Sequence, residues 1–225
     1  KDGTVGYLSA DGRWEIEPTF HAAYRFTGRT ALAGMVVGRT STRISGSMSN
    51  PIHSYGLITR DGTWLVEPLD DSDPSYWSSG GSFNEGLCAV QVGGDAFGYI
   101  DETGSMVIPA RYPQAGSFSD GLALVRRAEG GYRLIDARGD SVLDLGVSSV
   151  TRGSDGFLTV RGSLNDQEGF FLAHVDGTVY QGPYKTAGVY NEGRLPVETR
   201  AGWVLIDSDG RQYGGPWDAM ETPGE

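Results

Sequence analysis

The sequence predicts an all-β repeat protein: about six tandem three-stranded antiparallel meander units forming a curved or propeller-like ring, with an open β-solenoid as the alternative. Three observations predict it. Glycine supplies 35 of 225 residues, which suits a chain that turns every few residues and not a helical one, where each Gly costs about 1 kcal/mol against Ala. No convincing helical stretch is present. Most tellingly, one frame of residues returns along the whole chain.

The frame is clearest in Phe97-Gly98-Tyr99-Ile100-Asp101-Glu102-Thr103-Gly104-Ser105-Met106-Val107-Ile108-Pro109. With Gly104 as anchor, it recurs at Gly12, Gly62, Gly139, Gly177 and Gly210. Four positions before each anchor stand Leu8, Ile58, Ile100, Ile135, Ala173 and Ile206. Seven before stand Val5, Tyr55, Phe97, Tyr132, Phe170 and Trp203. A Gly follows that position in the first three copies, but copies four to six carry Arg133, Phe171 and Val204. A second block, Phe118-Ser119-Asp120-Gly121-Leu122-Ala123-Leu124-Val125, matches Phe83 to Val90, with weaker copies at Ser154 to Val160 and Asn191 to Val197. The step from anchor to second-block Gly is 17 residues from 104 to 121, 17 from 139 to 156 and 16 from 177 to 193.

Each piece has a physical reading. Tyr99-Ile100, the turn Asp101 to Gly104, and Met106-Val107-Ile108 form a hairpin, with Gly at the positive-φ position and Asp bonding back to the turn backbone. Pro109 is expected to end the second strand, since proline donates nothing to a ladder. The second block is a third strand that turns back through Glu129-Gly130-Gly131 into the next hairpin. One such unit cannot bury its apolar face, so neighbours must share it.

These residues resemble the WG-repeat family of bacterial proteins. Aromatic-Gly-Tyr-Ile-Asp-x-x-Gly, then apolar-Ile-Pro, then Phe-Ser-Asp/Glu-Gly-Leu-Ala-x-Val carry the resemblance, which covers about residues 4 to 217 and is closest over 97 to 125. No copy has the Trp-Gly pair itself; Tyr55-Gly56 and Phe97-Gly98 come nearest, and Gly202-Trp203 reverses it. The resemblance implies a repeat scaffold serving as an interaction module, and it brings no catalytic residues. Choline-binding cell-wall repeats also string aromatic-Gly hairpins together, but their unit is about half as long, richer in Trp and without the second block.

Composition narrows the function. A net charge of −11 argues against nucleic acid and anionic membranes, both approached through Lys and Arg. It suits a basic protein partner as well as plain solubility. The lone Cys88 excludes an internal disulfide and reads as a small buried hydrophobe. No apolar run is long enough to span a membrane. The chain begins at Lys1, on a repeat, and an upstream segment is expected to decide between a cytoplasmic and an exported location.

The expected organisation is a single domain over residues 1–225 with insertions at about 34–54 and 69–82. The first insertion reads as an elongated hairpin or a mobile loop. The second contains Asp70, Asp71, Asp73, Tyr76 and Trp77, the candidate binding residues: three carboxylates in four positions, followed by two large amphipathic rings, suit a basic peptide or Arg-bearing partner. The competing reading folds Trp77 over the sheet as a cap. The Asp spacing is that of a calcium loop, but its Gly and later Glu are missing, so no metal site is expected. His21, His53 and His174 lack partners at triad or ligand spacing. His174 takes the turn position of Asp101, Asp136 and Asp207.

The expectation is therefore a non-catalytic module for a protein or peptide partner, without cofactor, that scaffolds or neutralises it. Cell-wall glycan binding, or a glycan hydrolase using loop carboxylates, are the alternatives. Oligomeric state is left open.

Overall fold

In the computed structural model, which describes residues 3–39 and 51–217, every regular element among those residues is a β-strand. Copy one runs β1 (Val5–Leu8), β2 (Trp14–Phe20), β3 (Ala22–Ala23) and β4 (Thr30–Arg39). Copy two runs β5 (Pro51–Thr59), β6 (Trp64–Val66), β7 (Trp77–Gly80) and β8 (Leu87–Val92). Copy three is β9 (Ala96–Asp101), β10 (Met106–Tyr112) and β11 (Ala123–Arg126). Copy four is β12 (Tyr132–Ile135), β13 (Ser141–Val147), β14 (Ser149–Arg152) and β15 (Phe157–Leu164). Copy five is β16 (Gln167–His174), β17 (Val179–Tyr184) and β18 (Leu195–Thr199), and copy six is β19 (Gly202–Ile206) with β20 (Gln212–Trp217). The chain divides into two compact units, Lys1–Ser119 and Asp120–Glu225.

The turns obey the sequence signals. All six anchor glycines have positive φ, from 81° to 89°. Asp101 Oδ1 accepts the amides of Thr103 at 2.8 Å and Ser105 at 3.1 Å, and Asp136 and Asp207 do the same in their turns. The Asp/Glu-Gly pair of the second block is a turn of its own. Glu85-Gly86, Asp120-Gly121, Asp155-Gly156 and Glu192-Gly193 are all left-handed at both residues, the demand of a type I′ turn.

The hydrogen-bonded sheet is phased differently from the repeat. A second-block strand bonds to the first strand of the next copy, giving β4–β5, β8–β9, β11–β12, β15–β16 and β18–β19, all antiparallel. In the last four pairs only two to five residues join the strands, so they must be antiparallel neighbours, and β4–β5 keeps the same pairing across the first insertion. A fourth strand lies on the other side of the second block in β3–β4–β5–β6, β7–β8–β9–β10 and β14–β15–β16–β17. Three-stranded sheets, as expected, occur at β11–β12–β13 and β18–β19–β20. In the latter, Ala187 makes an isolated bridge to Val197 at the fourth place.

Proline does not end the second hairpin strand. Pro109, Pro18, Pro183 and Pro216 all lie inside strands. These strands stand at the edges of their sheets, where a missing N–H faces no ladder partner. The register shifts beside them.

In the first unit the core gathers Leu32, Leu57, Phe83, Cys88, Val90 and Ile100 in one cluster and Phe20, Ala31, Ala33 and Ile58 in another. In the second unit Leu134, Leu158, Val160 and Phe171 belong to one cluster, and Leu172, Leu195, Val197 and Ile206 to another.

Candidate functional site

The first insertion is an elongated hairpin as far as it is described, with β4 and β5 paired out to Arg39 and Pro51. Its residues 40–50 lie outside the described residues. The hairpin also brings together two histidines that sequence spacing kept apart. His21 donates its amide to Gly34, His53 pairs with Val36, and the two imidazole centroids stand 6.4 Å apart. Among the described residues no three His, Cys, Asp or Glu side chains are grouped to hold a metal ion.

The second insertion begins as two overlapping turns. Asp73 donates its amide to Asp70 and Tyr76 donates to Asp73. The carboxylates brace the same turns: Asp70 Oδ1 accepts the Ser72 amide at 2.9 Å, and Asp73 Oδ1 accepts the Ser75 amide at 2.9 Å and its hydroxyl at 2.6 Å. The Ser72 bonds hold Asp70, and the Ser75 bonds Asp73, below the usual carboxylate range, so both stay anionic. Asp71 leans on β4: a Cβ added at Gly38 would sit 2.8 Å from its Oδ2. Tyr76 accepts the Gly93 amide through its carbonyl at 2.9 Å, which clamps the insertion to the turn between β8 and β9.

Trp77 then opens β7, paired with Tyr55 of β5 on one side and Val92 of β8 on the other. This extra strand joins two four-stranded meanders into one eight-stranded sheet. The Trp77 ring is half-buried and packs on the cluster around Leu57 and Ile100. Its free side faces a cavity of about 260 Å³ walled by Tyr55, Val66, Leu69, Val92 and Met106, with Glu67 and Ser75 as polar neighbours. Leu69 and Met106 are 41% and 40% exposed, so the apolar wall continues to the surface. Trp77 and Ser75 line this cavity; Asp70, Asp71, Asp73 and Tyr76 stand in the turns before it and do not.

The sequence signalled Trp77 and the acidic turn but not Tyr55, Val66 or Met106. Those three are repeat positions in the hairpins of copies two and three, and only the register of the folded sheet places them around the inserted strand. A second concavity, of about 600 Å³, lies over the β15–β16 ladder and was not anticipated; its lining includes Arg161, Lys185, Glu168 and Phe170.

His174 is a turn residue, as read: its Nδ1 accepts the Asp176 amide at 3.3 Å. Cys88 is 1% exposed and its thiol is pushed up to about 11 by burial.

The architecture defines an all-β repeat scaffold in which an inserted strand carries an aromatic ring to the wall of an apolar cavity. Residues 97–130 match the WG containing repeat family, so the third copy is of that kind, and the resemblance seen in its residues is confirmed there. No curated protein matches the chain. Among solved structures, the computationally designed Ika8 protein is similar at 13% identity and a TM-score of 0.46, covering 94% of this chain and 68% of that one. BamB from Moraxella catarrhalis is similar at 11% identity and a TM-score of 0.36, covering 85% of this chain and 74% of that one.

Proposed function

We propose that the chain is a non-catalytic module that binds a basic segment of a protein or peptide partner at the Trp77 cavity. One observation carries this reading: an apolar cavity with an aromatic wall opens beside a turn whose carboxylates stay ionised. An arginine or lysine is amphipathic in the matching sense, with an aliphatic stem for the wall and a cation for the rim. Trp77 offers its ring to that cation, and Glu67 offers a carboxylate. The repeat scaffold supplies Tyr55, Val66, Trp77, Val92 and Met106 to the cavity from five strands.

The test is selection of short peptides of mixed charge on the immobilised protein, followed by calorimetry on the retained sequences. Arg- or Lys-bearing peptides are expected. Glu67→Lys and Leu69→Ala alter exposed wall residues, so melting should hold while affinity falls about tenfold, or about 1.4 kcal/mol. Retention of acidic and basic peptides alike, or unchanged affinity in both variants, overturns the reading.

A further inference from the structure

The first insertion lengthens one hairpin beyond the repeat. The strands β9, β12 and β19 start at most one residue before the repeat position held by Phe97, Tyr132 and Trp203, whereas β5 starts at Pro51, four residues before Tyr55. Its partner β4 runs on to Arg39. The added length carries His53, which pairs with Val36. His21 lies on the other side of β4, next to β3, and its amide donates to the Gly34 carbonyl at 2.9 Å. Strands on either side of a shared neighbour stand about 9–10 Å apart. The two imidazole centroids are 6.4 Å apart, so the rings reach toward each other across β4.

The three histidines differ in what holds them. His174 Nδ1 accepts the Asp176 amide at 3.3 Å and lies 3.2 Å from the Asp176 carboxylate. Among the described residues neither the His21 nor the His53 imidazole makes a hydrogen bond or an ion pair, so each neutral ring keeps a nitrogen lone pair free. His21 is exposed and His53 half-buried, and the broad χ2 torsion of histidine lets the exposed ring turn. Two nitrogen–metal bonds of about 2.0–2.1 Å, with the two ring radii added, span roughly 5–6 Å between centroids. A small rotation of His21 therefore closes the pair on one ion. Negative charge stands close by, because Asp71 leans on Gly38, two residues along β4 from Val36.

We propose that His21 and His53 form a two-imidazole site for a divalent first-row transition metal ion, with copper(II) held most tightly. Imidazole suits copper, nickel and zinc, and the Irving–Williams order puts copper first. No third protein ligand stands with the pair among the described residues, so water or a ligand from outside the chain completes the coordination. The unfolded chain does not hold the two rings together, and bound metal therefore stabilises the folded state. Neither histidine lines the Trp77 cavity, and the site stands independently of the reading given for it.

Titration with copper(II) chloride in a non-coordinating buffer tests the proposal, with binding followed by calorimetry and by paramagnetic broadening of the imidazole resonances. The expected result is saturable binding that broadens His21 and His53, spares His174 and raises the melting temperature. His21→Asn, at an exposed position, should leave the metal-free melting temperature unchanged and weaken copper binding about tenfold, or about 1.4 kcal/mol. His53→Asn should weaken binding equally, and the double variant should lose little more than either single one, the mark of a shared chelate. His174→Asn should leave the affinity unchanged. Magnesium, which takes oxygen ligands, should not compete. Copper held as tightly by His21→Asn as by the unsubstituted protein, or broadening centred on His174, overturns the proposal.

Discussion

The hydroxyl of Tyr99 donates to the carbonyl of Gly116 at 2.8 Å, tying the first hairpin strand of copy three to the segment that leads into its second block. Copy one repeats the tie, with Tyr7 donating to the Tyr24 carbonyl at 2.7 Å across the same separation of 17 residues. Both tyrosines stand five before their anchors, where the other copies carry leucine. Tyr99 is fully buried, so Tyr99→Phe leaves the Gly116 carbonyl without its donor. The expected cost is about 1–3 kcal/mol in denaturant melts. The same change at Tyr7, which is half-buried, should cost less.

These tyrosines also set an alkaline limit. Burial raises the Tyr99 phenol far above its ordinary value and Tyr7 to about 12. The unfolded chain loses these protons first, near the ordinary tyrosine value of about 10. Above that pH the native state binds more protons than the unfolded one, so stability is full below it and falls as pH rises toward 12. Melts at successive pH values should show the decline, and Tyr7→Phe should flatten part of it.

Ile100 and Leu8 hold the same repeat position at opposite extremes of exposure, 0% and 55%. Ile100→Ala should cost about 2–5 kcal/mol. Leu8→Ala should stay within about 0.5 kcal/mol. Equal losses at the two sites would contradict that contrast.

Glycine at 98 answers to close approach. A Cβ there would lie 2.6 Å from the Ile108 carbonyl oxygen, across the hairpin bulge. Gly98→Ala should therefore cost about 1–3 kcal/mol by overpacking, whereas Gly81→Ala, with open space at its Cβ, should be tolerated. Stability measurements on the pair check the contrast.

That contact also shows how much was legible beforehand. The anchor glycines and the Asp-Gly turns were readable because positive φ restricts residue type at one position. Copies four to six carry Arg133, Phe171 and Val204 in place of the second glycine. In copies five and six the tight approach persists, with glycine moved to the other strand: a Cβ at Gly182 would lie 2.7 Å from the Phe170 oxygen, and one at Gly215 would lie 2.6 Å from that of Trp203. A frame read along one strand does not see an exchange across the hairpin. Nor did it show β7, because Trp77-Ser78-Ser79-Gly80 has no apolar alternation and becomes a strand only between β5 and β8. The strand phasing was hidden for a related reason, since ladder pairing follows connection length and not sequence similarity.

A protein-directed module should ignore cell-wall glycan. After incubation with purified peptidoglycan and sedimentation, the protein should stay in the supernatant. Retention that free glycan fragments reverse would favour the glycan-binding alternative.

The most direct test of the central claim is resonance mapping of a basic peptide retained in selection. The account predicts that the Trp77 indole and the Met106 methyl shift together as peptide is added, while His174 in the second unit does not. Shifts that leave Trp77 and Met106 unmoved, with saturation registered elsewhere, would contradict it.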